Sequence, residues 1–381
     1  MLYLHGFDPR GPGPYHTLYA AEAARAAALT GRPIETGPRR RRDALAASWA
    51  VTAGTGRDRV ETDYVFLRWD DLVRARWTRN EILLLDELVR WVVAWAKVGF
   101  FGRARRESRA LWFAMLSTPV TAALFLLSAF VVVGAIGFVA GIAAHTYGWP
   151  SWTGAVPALL SLLLAPVLWR WLEGRLNVCW LSRCFTYMRR RARRRRDDLA
   201  ERDRAFAGRI LEAAADPAVD EVLVVGHSLG ALHAISALAR ALEADAKLGA
   251  DGRIALLTLG QPIAVHTAIG GDDDFLRDLR TLAAATQVPW VDVTSPSDPA
   301  SGCSLDPFAD IDANAGRLVQ RSPRFHVCLT PERFRAIRRR PVDFHFQYLK
   351  SPDLAGGFDY FAMTAGPERL ADQPWLRGGA R

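Results

Sequence analysis

A chain of 381 residues has room for a globular core of about 200 residues and one substantial insertion. Half of the residues are hydrophobic and 23% are charged, yet the apolar ones concentrate between residues 110 and 172, which excludes a uniformly mixed globular protein. The net charge of +9 comes from arginine clusters at Arg39–Arg42, Arg189–Arg196 and Arg338–Arg340, which suit an anionic partner. None of Cys179, Cys184, Cys303 and Cys328 stands in a C-x-x-C pair or at metal spacing from histidine, so they read as reduced thiols.

Leu2-Tyr3-Leu4 reads as a short apolar strand, with no basic region or cleavage site ahead of it, which points to a cytoplasmic location for the soluble part. His5-Gly6-Phe7 opens a loop dense in Gly and Pro, a composition that fixes a backbone course. Tyr15–Leu29 is an alanine-rich helix stopped by Gly31 and Pro33. Residues 31–60 carry little apolar periodicity and read as loop and weak helix. Thr62–Trp69 is a strand, and Asp70-Asp71 begins the next helix. The segment Glu81–Phe101 reads as an amphipathic helix with Ile82, Leu85, Leu88, Val89, Val92, Trp95 and Ala96 on one face, suited to a membrane interface or a lid.

No charged residue occurs from Ala110 to Ala144, nor from Ser151 to Leu168. A bilayer core of about 30 Å needs about 20 helical residues, so two spans are expected, Thr118–Ala144 and Trp149–Trp169. The connecting loop is short and aromatic. Arginines flank the pair on both outer sides, which by the positive-inside rule puts both flanks in the cytoplasm, at the inner (cytoplasmic) membrane. The run Arg189–Arg196 then faces anionic lipid headgroups, each arginine contributing about 1 kcal/mol. Nucleic acid fits it poorly, because no aromatic residue interleaves the run. Three parts follow: residues 1–109, the hairpin 110–172, and residues 173–381.

Asp197–Ala215 returns as a polar helix. Asp220–Ala231 (DEVLVVGHSLGA) then runs from a buried aliphatic strand, Glu221–Val225, through Gly226-His227-Ser228-Leu229-Gly230 into a helix with apolar spacing to Leu242. A serine at a sharp strand-to-helix turn, with glycines two residues either side, has its hydroxyl exposed and the strand and helix close together. On this motif and its context the chain resembles the α/β-hydrolase superfamily, in particular its lipase-like and esterase-like members, over about 200 residues in two blocks. The resemblance implies a mostly parallel α/β sheet with helices on both faces. It also implies that the first two strands are missing, so that the sheet is trimmed. It assigns His5, Gly6 and Phe7 to the loop that donates one backbone N–H to an oxyanion hole, with Leu229 donating the other. The hairpin lies in the crossover before the serine strand, whereas lids in this superfamily more often follow the sixth strand.

Beyond the serine, Ile254–Leu259 is a strand followed by Gly260-Gln261-Pro262. Gly270–Asp274 reads as a solvated helix start rather than a calcium loop. Val288–Val293 is the next strand, and Pro323–Leu329 the last. A serine hydroxyl needs an imidazole to take its proton and a carboxylate to hold the imidazole, here in the order Ser, acid, His. Asp298, just past a strand and before a proline, is favoured as the acid over Asp292 and Asp306. His345 is favoured as the base, with His326 the alternative, since it lies in an alternating strand where a core histidine would also fit. His227 reads as a packing residue.

The expectation is a membrane-anchored serine hydrolase, α/β in fold, acting on an ester or thioester of a lipid or acyl substrate through Ser228, Asp298 and His345. No metal or organic cofactor is called for. A hydrolase-like scaffold without turnover that binds lipid is the alternative.

Overall fold

The computed structural model of the chain describes residues 1–150, 152–176, 178–193, 197–303, 305–311 and 317–377. It shows an α/β protein built on a mixed, mostly parallel sheet. The described strands are β1 (Leu2–Leu4), β2 (Ile34–Thr36), β3 (Arg40–Arg41), β4 (Ala46–Ala53), β5 (Val60–Leu67), β6 (Val222–His227), β7 (Ile254–Leu259), β8 (Trp290–Val293) and β9 (Leu318–Arg321). Their order is β2-β4-β5-β1-β6-β7-β8-β9, with β3 paired on β4. Neighbours from β5 through β9 are parallel, and β4 runs antiparallel to β5 and β2. β6 and β7 are buried at every position, the place that aliphatic runs without polar alternation suit. Alternate residues Leu223, Val225, Leu257, Leu259, Val291 and Val293 join Tyr3, Tyr348 and Phe361 in one core cluster, as period-two strands require.

Residues 31–60 correct the sequence expectation, for they supply β2, β3 and β4. The edge of the sheet is therefore filled and the sheet is not trimmed. Across the β4–β5 pair Trp49 stacks on its register partner Tyr64, with centroids 4.1 Å apart and planes 18° from parallel. That cross-strand pair holds an alanine-rich strand whose own periodicity is weak. The last strand is also different. β9 ends at Arg321, and the segment read as the strand Pro323–Leu329 instead forms a short helix, Phe325–Cys328. Pro323 has no N–H for a ladder, and Arg324 turns the chain with φ of 44°. Phe325, Cys328 and Leu329, at helical spacing, then enter the core. The aromatic stretch after it is helical as well, Pro341–His345 followed by a 3₁₀ turn, Phe346–Leu349.

The chain forms two compact units, one of residues 1–76, 102–112 and 191–381, the other of residues 77–101 and 113–190. The second contains the helix Arg109–Thr146 from residue 113 onward. Among the described residues this is the one helix long and apolar enough to cross a membrane. Its 38 residues outreach a bilayer core and expose Phe113, Leu124, Phe138 and Val139. The second expected span falls largely on the helix Trp152–Leu176; Ser151 and several of its side chains lie outside the described residues. In the helix Glu81–Lys97 Leu88 and Trp95 of the expected face are buried together with Leu84 and Trp91, whereas Val89 and Ala96 are exposed and the Ile82 side chain lies outside the described residues. Trp91, Trp95 and Phe185 set that phase by packing within 5.1 Å of one another. The arginine run is also partly internal. Arg189 is ion-paired with Glu87 in the second unit, and Arg191 with Asp272 at 3.1 Å in the first. Both arginines are buried, because carboxylates distant in sequence meet them, so they do not face headgroups as expected. Arg194–Arg196 lie outside the described residues.

The helix Gly230–Ala244 packs on β1, β6 and β7. A Cβ on Gly230 would stand 2.3 Å from the Leu4 carbonyl oxygen and 2.4 Å from that of His5, closer than any carbon can approach. Gly230→Ala should therefore cost about 3 kcal/mol or more in urea denaturation. Gly208→Ala, on an exposed helix surface with nothing within 4 Å, should instead add about 0.5–1 kcal/mol.

Candidate active site

β6 ends at His227, the helix begins at Gly230, and Ser228 sits between them with φ of 56°. A non-glycine residue there stores about 1–3 kcal/mol of strain and persists only where its neighbours hold it. Here they do: Ser228 N–H donates to the Leu259 carbonyl at 2.8 Å, and its own carbonyl accepts from Ala231 N–H at 3.0 Å. Leu229 occupies the N-cap, at the helix end where backbone N–H groups have no intrahelical partner.

The loop after β1 reaches the same turn. A Cβ on Gly6 would lie 2.9 Å from Ser228 Cβ and 3.3 Å from its Oγ, so only glycine fits against the serine. Phe7 is buried beside Trp69, whose indole N–H donates to the His5 carbonyl at 2.9 Å. Asp8 N–H donates to the Gly6 carbonyl at 2.8 Å. The His5 ring is fully buried, stacked on Phe66 with centroids 4.9 Å apart and beside Trp69 at 5.3 Å. Burial pulls its pKa down to about 4 against the pull of Asp8 and Asp70, so the ring is neutral.

Asp298 follows β8, where its N–H donates to the Ser295 carbonyl at 3.0 Å and its Oδ1 accepts from Ala300 N–H at 3.0 Å. Its Oδ2 stands 2.8 Å from His345 Nδ1, and both side chains are fully buried. With Nδ1 turned to the carboxyl group, Nε2 is the ring nitrogen on the opposite side. His227 does more than pack. Its Nε2–H donates to the His345 carbonyl at 3.1 Å, and the two rings are 4.9 Å apart. Burial first, and the neighbouring His345 imidazole second, keep His227 well below the ordinary histidine range, so its ring stays neutral. Ser228, the 5–8 loop, Asp298 and His345 all follow the carboxyl ends of parallel strands, where open α/β sheets gather their sites.

His326 takes no part. It is exposed on the helix Phe325–Cys328, with its ring 6.2 Å from that of Phe334. Asp292 is buried on β8, but accepts from Thr258 Oγ1 at 2.7 Å, Gln261 Nε2 at 3.0 Å and Gln320 Nε2 at 3.3 Å. Burial raises its pKa to about 6 against those bonds. Asp306 caps a turn through Phe308 N–H at 2.9 Å. Asp272, in the GGDDD stretch, N-caps the next helix and also accepts from His266 at 2.8 Å. Among the described residues no three His, Cys, Asp or Glu side chains gather as a metal site. All four cysteines are buried, and none is in a disulfide.

Sequence reasoning missed Tyr348 and Gly260. The Tyr348 hydroxyl accepts from Ser295 N–H at 2.8 Å, tying the base segment to the acid loop. Gly260, at φ of 57°, leaves room for both. A Cβ there would meet Tyr348 Cε2 at 2.7 Å and His345 Cε1 at 3.0 Å. The glycine after the strand was visible in the sequence, but its partners were 85 or more positions away. No protein-family model, curated protein or solved structure matches the chain.

The neutral His5 makes stability depend on pH. A ring with a folded pKa near 4 binds its proton more weakly than the unfolded chain, whose value is 6.5. Its neutral form costs nothing above pH 6.5, and stability is lost as pH falls toward 4. Relative to His5→Phe, the wild type should lose about 3 kcal/mol across that window in denaturation measured at each pH. A flat difference would mean that folding leaves the affinity of the ring for its proton unchanged.

Proposed function

We propose that this chain is a membrane-anchored serine hydrolase with an α/β-hydrolase-type core, cleaving an ester or thioester of a lipid or acyl substrate. The observation that carries the reading is the fully buried 2.8 Å bond between Asp298, on the loop that follows β8, and His345, at the end of the helix Pro341–His345, together with Ser228 held in a strained turn at the end of β6. The chain order Ser, Asp, His agrees with that superfamily.

In this mechanism Ser228 Oγ attacks the substrate carbonyl while His345 Nε2 takes its proton. Asp298 holds the imidazole and stabilises the imidazolium that forms. Backbone N–H groups of Leu229 and of the Gly6–Phe7 loop hold the oxyanion. His345 passes its proton to the leaving alcohol or thiol, which departs and leaves an acyl-serine. Water, deprotonated by the same nitrogen, then releases the acid. Gly6 contributes by letting the loop backbone come against the serine, and His227 by holding the main chain of His345. The lipid or acyl preference rests on the apolar helix Arg109–Thr146, which ties such an enzyme to its substrate phase.

A fluorophosphonate probe should label the wild type and not Ser228→Ala. Ser228→Ala and His345→Ala should each lower kcat about as far as the double variant, since members of such a triad act as a unit. Asp298→Asn should cost less, though still orders of magnitude, by favouring the wrong imidazole tautomer. His326→Ala should keep its turnover. Ester hydrolysis indifferent to Ser228→Ala would end the proposal.

The two-span arrangement, with both flanks at the cytoplasmic face of the inner membrane, is tested separately. Protease added outside intact cells should cut at most between residues 144 and 152. Cleavage near Arg190 would reverse the orientation.

A further inference from the structure

Between the loop that meets Ser228 and the segment that carries His345 stands one guanidinium. Arg10 Nε lies 2.9 Å from Asp8 Oδ1 and Nη2 lies 2.7 Å from Oδ2, so the buried carboxylate grips the Nε/Nη2 edge of the fork. Asp8 is held in turn by the Tyr15 hydroxyl at 3.1 Å and by Arg10 N–H at 3.0 Å. From the other side the guanidinium carbon sits 5.7 Å from the ring centre of Phe346, the residue after His345. The Phe346 ring is itself 5.4 Å from that of His227, next to the serine. The loop backbone is pinned where Arg74 donates to the Pro9 carbonyl at 2.9 Å. The Arg10 side chain remains 57% exposed. Its Nη1 donates to nothing among the described residues.

A guanidinium has two edges that each match a planar oxyanion. Asp8 occupies the side edge and sets the plane of the fork, while the end edge, Nη1 with Nη2, belongs to a side chain that is more than half exposed. An arginine needed only to brace the loop would have no reason to stand over Phe346 with Nη1 open, since Tyr15 and Arg74 already brace it. We propose that Arg10 selects substrates carrying an anionic oxygen group, carboxylate or phosphate, within reach of the scissile carbonyl. This rests on the hydrolase reading above and narrows its substrate class. Arg10 is a specificity residue, and the reacting atoms do not need it.

The test compares ester pairs that differ only in the anionic group. One pair is mono(4-nitrophenyl) adipate against 4-nitrophenyl hexanoate, with the charge on the acyl side. The other is the hexanoyl ester of glycerol 3-phosphate against that of glycerol, with the charge on the leaving group. The wild type should favour the anionic member of at least one pair in kcat/KM, and the pair that shows it identifies the source of the charge. Arg10→Gln should lower that anionic-to-neutral ratio about fivefold to tenfold, and Arg10→Lys should restore part of it, since lysine keeps the charge without the fork. Hydrolysis that requires Ser228 but shows a ratio indifferent to Arg10→Gln overturns this inference and leaves the hydrolase reading standing. If no ester is turned over, calorimetric binding of monomethyl adipate and methyl hexanoate to Ser228→Ala, with and without Arg10→Gln, decides it. A preference for the adipate that is lost with Arg10 supports the inference while the hydrolase reading fails. No preference ends both.

Discussion

The close contact of two backbones at the end of β1 governs the geometry of the whole site. β1 pairs with β6 so that Leu4 stands opposite Gly226, and the helix that follows β6 must turn back across this strand end at once. It passes so near that Gly230 has no space for a methyl group, and Gly226 would drive a Cβ to 2.5 Å from Ala231 Cα. The turn left between them holds two residues and forces Ser228 into a conformation that L residues avoid. The strain, about 1–3 kcal/mol, is offset by packing along the fully buried helix face and by the two backbone bonds at the serine. Relaxing the contact would let the turn unwind and carry the serine away from the β1 loop.

Two buried carboxylates near the site show how surroundings divide roles. Asp292 faces a hydroxyl and two amides, neutral donors that only partly offset its loss of water, so its pKa rises. Asp298 faces an imidazole that can become a cation. A carboxylate so placed can stabilise a proton arriving on the ring, which one surrounded by amides cannot do. The same reasoning separates the histidines. His5 and His227 are sealed among aromatic and backbone groups that favour the neutral ring, while His345 Nδ1 lies against the Asp298 carboxyl group.

The second unit obeys a different balance. Its long helix shows Leu124, Phe138 and Val139 outward, which water would penalise and hydrocarbon would not. In the same unit Glu173 and Arg183 are buried as an ion pair, with Cys179 N–H also donating to the carboxylate at 3.1 Å. Breaking such a pair by removing one partner leaves a buried charge, at a cost of about 3–5 kcal/mol. The charges of this unit therefore act as internal fasteners as well as surface groups, and a count of arginines alone overstates the charge left on the surface.

The sequence by itself determined what depends on neighbours within a few positions. The central strands at 222–227 and 254–259, the serine turn with its flanking glycines, the long apolar helix, and Asp298 just past a strand were all legible, because aliphatic runs, glycine spacing and proline positions act locally. The tertiary structure decided whatever depends on a distant partner. β4 exists because Trp49 finds Tyr64 across the ladder. His326 and His345 look alike in sequence, and a proline and a left-handed arginine set one outside while folding carries the other to Asp298, 47 positions away. Arg189 and Arg191 become interior because Glu87 and Asp272 reach them. Periodicity reports which face of an element is apolar. It carries no information on which carboxylate, ring or carbonyl will meet that face, since such pairings are set by chain topology and by the packing that excludes water.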